Sequence, residues 1–421
     1  MAHDNWKLRK QLNSISFVGL KGIRVGDALT VDTWHFQEWT KEIVNNIETV
    51  RICEYDYQSE GERADKVFIC SAPYIKRKDQ LEKFHAVERL FNSKIVLIAQ
   101  NKKTVRNPYL RLIPIWYMQM GRLNYSSTVK HGICYLLCKA LGQAHLLMSK
   151  IASVATIKKI VCFSDVIAAD NILIQMCNHQ GYITYALQHG IINGAYDYVE
   201  HKCSHANYFL AWGEYTKWVA QKYGINESKI KVVGSMDHLY NMRDYAADKK
   251  EYEMFLVCTN GVDGKSTWNR NKKIIIFANR IAEKYHMKYY LKVHPYDNSD
   301  RYKYIIDNKY CDRVIDKSEK IENMLKIVDF TLCGNSTTFC DSLYYKVPAF
   351  RYIADRDRSI DVCKGIEFGK VKNYEELETE LDKLKENREF YQKKAEKVRK
   401  GLFNIDNVSE KYVQAIEGDM L

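Results

Sequence analysis

Short apolar runs alternate with stretches of helical periodicity along almost the whole chain, and this pattern restricts the fold more than any other feature. Runs such as "KVFICSA" (66–72), "SKIVLIAQ" (93–100), "KKIVCFS" (158–164), "ITYALQH" (183–189) and "YFLAWG" (208–213) are continuous rather than alternating. That suits strands buried on both faces of a sheet. Further strands are predicted at "SISFVGL" (14–20) and "VRICEY" (50–55). Helical patterns such as "DQLEKFHAVERLF" and "DNILIQMCNHQG" fall between the runs, giving the order of α/β layering. The pattern restarts at "MFLVCTNG" and continues through "WNRNKKIIIFANRIAEKYH", "KYYLKVHP", "RVIDKS", "IENMLKIVD", "FTLCGN" and "VPAFRY".

Between the two sets, "KIKVVGSMDHLYNMRDYAADKKEYE" (229–253) carries charge and tyrosines without a clear apolar face, which predicts the interdomain linker. A chain of 421 residues also exceeds one ordinary core. The expected fold is α/β, with two Rossmann-like domains facing a cleft and C-terminal helices crossing back. The boundaries are 1–232 for the first domain, 233–390 for the second, and 391–421 for a helical tail packing on the first.

The net charge of +12 favours an anionic partner, whether nucleotide, phospholipid headgroup or nucleic acid, and equally fits an ordinary basic surface. The 12 cysteines are scattered without a C-x-x-C, as expected of free thiols in a reducing cytoplasm, and metal binding through them is not expected. The N-terminus lacks the apolar core of a signal peptide. The most apolar neighbourhood, 131–163, is broken by lysines, histidines and glutamine, so it cannot supply the ~20 clean apolar residues of a membrane span. Any membrane association is expected to be peripheral. "NKKTVRNPYLRLIPIWYMQMGRLNY" (101–125) suits a membrane interface, or equally a loop and helix that pack their aromatics. No recognised nucleic-acid motif accompanies it.

In doubly wound sheets ligands bind at the carboxyl ends of the strands, and two motifs fall there. The first is "GNSTT", Gly334, Asn335, Ser336, Thr337 and Thr338, followed by a helical pattern. A small hydroxyl-bearing turn that opens a helix presents N–H and O–H donors to an anion. Plain helix capping by Ser336 or Thr337 is the alternative. Asp341, a turn further on, is a candidate for a ribose hydroxyl. The second motif is "LKVHPY": His294 at a strand end can donate to a phosphate, Pro295 fixes the turn, and Lys292 joins it or is a solvated charge. In the first half, "ALQHGIINGAYDYV" places His189 beside Gly190 at a strand end, where an imidazole can act as general base or be incidental. "TNGVDGKST" (259–267) is two residues short of a P-loop; it remains a binding candidate for a phosphate or the acceptor, and an ATPase reading is rejected.

The succession of "LQHG", "HANYFLAWGEYTKWVAQKYGINESKIKVVGS", "KVHP" and "GNSTTFCDSLYY" resembles bacterial GT-B-type glycosyltransferases of capsule and lipooligosaccharide synthesis. It is similar to CDP-glycerol glycerophosphotransferases, capsule Kdo transferases and bacterial sialyltransferases, over roughly residues 180–350. In those families an H-P dipeptide and a Ser/Thr-rich turn hold the donor phosphate, often on a cytidine nucleotide. His294 and Pro295 match the first, and Ser336, Thr337 and Thr338 the second. An H-G element is associated with catalysis in the glycerophosphotransferases, and His189-Gly190 matches it.

The resemblance implies a metal-independent inverting glycosyltransferase. The donor is a nucleotide-activated sugar, cytidine favoured and UDP open, bound mainly by the second domain. The acceptor is a glycan or lipid-linked hydroxyl, bound mainly by the first. His189 is the expected base, with Asp197 or Asp165 as fallback. Lys292, His294, Pro295, Gly334–Thr338 and Asp341 are the expected donor-binding residues. No D-x-D triad is read in the stretches assigned to the cleft, and no metal, cofactor or nucleic acid is expected. The expected location is the cytoplasm, with contact at the anionic inner face of the membrane. Glycerophosphate transfer from CDP-glycerol, sugar-nucleotide epimerisation and non-catalytic anion binding remain the alternatives.

Overall fold

The computed structural model describes residues 2–29, 51–59, 64–71, 78–104, 107–190, 204–222, 224–235, 252–261, 265–294, 297–316, 318–334, 336, 338–353 and 369–418. The first sheet is built from β1 (Arg51–Ser59), β2 (Lys66–Cys70), β3 (Lys94–Thr104), β4 (Lys159–Cys162), β5 (Ile183–Leu187), β6 (Tyr208–Ala211) and β7 (Ile230–Val232). Their order is β1-β3-β2-β4-β5-β6-β7. Only β1 runs antiparallel to its neighbour. Among the described residues the helices of this half are α1 (Ala2–Asn13), α2 (Val25–Ala28), α3 (Lys78–Glu88), α4 (Ile113–Gln119), α5 (Ser127–Ala152), α6 (Ala168–His179) and α7 (Glu214–Lys222).

Alternate strand residues enter different cores, which explains the continuous apolar runs. Val67, Ile69, Ile160 and Cys162 pack with α1, α2, α5 and α6. Phe68, Cys70, Val161 and Phe163 pack on the other face with α3. The apolar stretch at 131–163 is thus mostly α5, buried in the core on this face of the first sheet. Among the described residues, no helix is long and apolar enough to cross a membrane. In the aromatic stretch before it, Trp116 is fully buried and Tyr117 stacks on His131 with ring centroids 4.3 Å apart.

The strand expected at 14–20 does not form. Gly19 has φ +78°, and Leu20 N–H turns back to the Phe17 carbonyl. Val18 satisfies its backbone groups with side chains instead of a ladder: its N–H donates to Gln119 Oε1 at 3.1 Å, and its carbonyl accepts from Trp116 Nε1 at 3.0 Å. Phe17 and Leu20 still reach the core, so the apolar signal was real but served a turn.

The second sheet contains β8 (Met254–Cys258), β9 (Lys288–Lys292), β10 (Cys311–Ile315), β11 (Phe330–Cys333), β12 (Ala349–Tyr352) and β13 (Lys370–Val371). All its pairs are parallel, in the order β10-β9-β8-β11-β12-β13. Counted from β8 this is 3-2-1-4-5-6, the doubly wound order. Its helices are α8 (Lys265–Tyr285), α9 (Ile321–Leu325), α10 (Thr338–Tyr344), α11 (Tyr374–Glu386) and α12 (Arg388–Leu402). The middle of the predicted linker, 236–250, lies outside the described residues.

The chain then crosses between the cores. Tyr391, Ala395, Val398 and Leu402 of α12 pack in the second core. Val408, Tyr412, Ala415 and Ile416 of α13 (Val408–Glu417) pack in the first, on the face shared with α3. At the crossing Phe403 stacks on Trp212 at 6.0 Å and meets Tyr344 edge-on at 5.6 Å. The approach requires glycine at 213, where a Cβ would lie 2.3 Å from the Leu402 carbonyl oxygen.

Candidate functional site

In the second sheet the chain leaves β8 toward one side and β11 toward the other, so a crevice opens at the carboxyl ends of these adjacent strands. Three turns meet there. The His294 N–H, just past β9, donates to Thr259 Oγ1, just past β8, at 3.1 Å. A Cβ on Gly261 would lie 2.8 Å from His294 Nδ1. A Cβ on Gly334, after β11, would lie 2.1 Å from Asn260 Oδ1 and 3.4 Å from Arg270 Cδ. The two sequence motifs are therefore bridged by the Thr259–Gly261 turn, the segment that read as a failed P-loop.

A buried polar network holds these turns from behind. Asn271 on α8 is fully buried; its Oδ1 accepts from Asn260 N–H at 3.0 Å. Its Nδ2 donates to the Asn260 carbonyl at 2.7 Å and to the Tyr302 hydroxyl at 2.9 Å. Tyr302 donates in turn to Asp297 Oδ2, and the Asp297 N–H donates to the His294 carbonyl at 2.8 Å. Burial, and then the Asp297 carboxylate, push the Tyr302 phenol well up, so it remains a donor.

The other predicted residues around this crevice have distinct settings. Ser336 Oγ accepts from Thr338 N–H at 3.3 Å and donates to Thr338 Oγ1 at 3.2 Å, a local hydroxyl pair at the start of the seven-residue α10. Asp341 is half-buried; after burial itself, its charge is among the influences that push the Cys333 thiol up to about 12. Lys292 Nζ donates to the carbonyls of Glu319 at 2.6 Å and Asp316 at 3.4 Å, which ties β9 to the loop before α9. Burial lowers its pKa. Pro295, Asn335 and Thr337 lie outside the described residues.

In the first sheet His189 lies two residues past the carboxyl end of β5, half-buried, with its ring 6.0 Å from that of Phe163 just beyond β4. Gln188 fixes the turn: its Oε1 accepts from Trp212 N–H at 2.7 Å and its Nε2 donates to the Gly190 carbonyl at 2.9 Å. Asp197 lies outside the described residues. Asp165 is buried, its carboxyl pushed up by burial, and it accepts from Ser204 Oγ. Nearby, Asp27 gathers Arg9 at 2.6 Å, Arg24 at 2.8 Å and His205 at 2.9 Å. An exposed ion pair, Lys320 with Glu82 at 2.8 Å, joins the lead-in to α9 with α3, so carboxyl-end elements of both sheets face each other.

Sequence patterns singled out His189, His294 and the Gly334 turn, but missed Asn271, Asp297, Tyr302 and Gln188. One signal was present: Trp268, Asn271, Ile274, Ile275 and Ala278 share a helical stripe, so Asn271 is a polar residue on an apolar face. Among the described residues no cluster of three or more His, Cys, Asp or Glu side chains could hold a metal. A D-x-D triad does follow β12 in the chain, Asp355-Arg356-Asp357, outside the described residues.

No family model matches the chain, and no curated protein matches it. Solved structures do. The UDP-GlcNAc 2-epimerase from Neisseria meningitidis, solved bound to UDP-GlcNAc, is 11% identical with a TM-score of 0.52, over 84% of this chain and 99% of that one. S. aureus MnaA, solved with UDP, is 11% identical with a TM-score of 0.55, over 84% of this chain and 96% of that one. At such identity the likeness concerns fold: the chain has the two-domain α/β architecture of GT-B enzymes.

Proposed function

We propose that the chain is a nucleotide-sugar-processing enzyme that binds its nucleotide across the crevice between β8 and β11. The observation that carries this reading is the convergence of Thr259–Gly261, His294 and Gly334 on one switch point. Glycines at both turns let a pyrophosphate approach the backbone. The solved structures with UDP-GlcNAc and UDP favour a pyrimidine nucleoside diphosphate.

In the proposed reaction an acceptor hydroxyl attacks the anomeric carbon of the donor sugar as the bond to the nucleotide phosphate breaks. His189, its turn fixed by Gln188, takes the hydroxyl proton; Asp197 is the other candidate base. His294, with Pro295 setting its turn, stabilises the charge growing on the departing phosphate. Asn335, Ser336, Thr337 and Thr338 line the same anion, and Asp341 meets the ribose. Lys292 acts through the 316–319 loop that it ties down. No metal or added cofactor takes part, and the acceptor is a glycan or lipid-linked hydroxyl of surface polysaccharide synthesis, reached from the membrane's inner face. The second reading is epimerisation of the nucleotide sugar. It is favoured by a likeness to the N. meningitidis enzyme that spans 99% of that chain, both domains together.

The test is a thermal-shift screen of wild type and His294→Ala with UDP, UMP, CDP, CMP, GDP and ADP. Ligand at ~100 times Kd adds about 2.7 kcal/mol to the folded state. A shift with one pyrimidine nucleotide, lost in the variant, is the expected outcome; no shift with any nucleotide sinks the reading. NMR of wild type with UDP-GlcNAc alone then separates the two reactions, because only an epimerase inverts a sugar centre without an acceptor.

A further inference from the structure

Three arginines are buried among the described residues: Arg9, Arg351 and Arg399. Two have carboxylate partners, Arg9 with Asp27 at 2.6 Å and Arg399 with Glu396 at 2.7 Å. Arg351 is 3% exposed, its Nε is closed off from solvent, and no side-chain hydrogen bond or ion pair joins its guanidinium to any described residue. The guanidinium lies over the Phe339 ring, 4.8 Å from its centroid.

The strand register says where this cation is. Arg351 pairs with Cys333, the last residue of β11, and Cys333 pairs with Cys258, the last residue of β8. Arg351 is therefore level with the floor of the crevice and one strand from it. It sits beside the Gly334 turn and against the first turn of α10. Its charge reaches this floor, since it draws the Cys333 thiol down against the upward push of burial.

A buried cation without a partner costs stability, and a well-packed apolar side chain of similar size is the better structural choice. A site that persists with this cost is suited to receive its counter-charge from a ligand. The planar fork of arginine matches two phosphate oxygens at once, which an ammonium cannot do. We propose that Arg351 is the counter-charge for a phosphate of the bound nucleotide and closes the phosphate subsite from the β12 side. This rests on the crevice reading given above and adds a residue that no sequence motif marks.

The test compares wild type, Arg351→Met and Arg351→Lys by melting without ligand and by calorimetry with UDP, UMP, CDP, CMP, pyrophosphate, inorganic phosphate and uridine. Without ligand, Arg351→Met is expected to melt higher than wild type, because the variant removes a buried charge that no described residue pairs. Its affinity for the nucleotide that wild type prefers is expected to fall at least tenfold, with uridine unaffected. Arg351→Lys is expected to fall between the two, keeping the charge and losing the fork. If Arg351→Met melts lower and binds nucleotide like wild type, Arg351 is a prop for Phe339 and the inference is overturned while the crevice reading stands. Wild type that binds no nucleotide overturns both.

Discussion

Asn271 links more of the crevice than any motif residue does. It satisfies both backbone groups of Asn260 and bonds the Tyr302 hydroxyl, all from the second turn of α8. Asn271→Leu keeps the volume, leaves the two Asn260 backbone groups without this partner, and leaves the Tyr302 hydroxyl its bond to Asp297. At about 1 kcal/mol for each Asn260 group, the variant is expected to lose roughly 2 kcal/mol in urea denaturation. Nucleotide affinity is expected to fall with it, because Asn260 and the His294 turn both depend on the network; a variant as stable as wild type would refute its role. His294 was legible in the sequence because a histidine and a proline just past an apolar run mark a strand end. Asn271 was obscure because "WNRNKK" reads locally as a solvated helix start, and only its position on the apolar stripe hinted at burial. Ser336 shows the opposite limit: a hydroxyl in a turn suits capping and anion binding alike, and its bond to the Thr338 N–H is compatible with both.

Among elements, the docking of α13 depends on lysines that no local pattern connects to it. Lys94, Lys66 and Lys159 open β3, β2 and β4 and are direct cross-strand neighbours. Each is buried. Lys94 donates to the Phe91 carbonyl at 2.9 Å, and Lys66 pairs with Asp65 at 2.7 Å. Lys159 donates to the carbonyls of Ile416 and Glu417, at the C-terminal end of α13, where a cation also complements the helix dipole. Lys159→Met removes these bonds and is expected to cost about 1–3 kcal/mol by urea denaturation. Amide exchange in α13 should then accelerate more than in α5; uniform exchange across both helices would argue against a local latch. The tail was legible as helix from its composition, but its docking partner lies some 250 residues away in the chain. The strands were the most legible elements, since burial on both faces leaves unbroken apolar runs. The false strand at 14–20 came from the same signal, because apolar residues plug a core as readily from a turn as from a ladder.

For the molecule as a whole, the first 29 residues lie outside both sheets, and Asp27 ties them to the first domain. Arg9 and Asn13 reach it from α1, Arg24 from just before α2, and His205 from the lead-in to β6. Burial alone would raise this carboxyl, but the hydrogen bonds from His205, Arg24, Asn13 and Arg9 hold it far below the usual carboxylate range. The sign of the linkage follows. A depressed folded pKa contributes stability that is fully present above the unfolded value near 3.9, and this stability drains as pH falls below it. Asp27→Asn is expected to cost about 3 kcal/mol at pH 7, since it leaves Arg9 buried beside a neutral partner. Wild type then loses the Asp27 contribution on acidification and the variant has none to lose. The gap between their unfolding free energies should therefore narrow by about 2 kcal/mol between pH 6 and pH 2. Urea titrations of both proteins across that range measure the gap directly, and a gap that stays constant with pH would show that Asp27 titrates alike in the folded and unfolded chains.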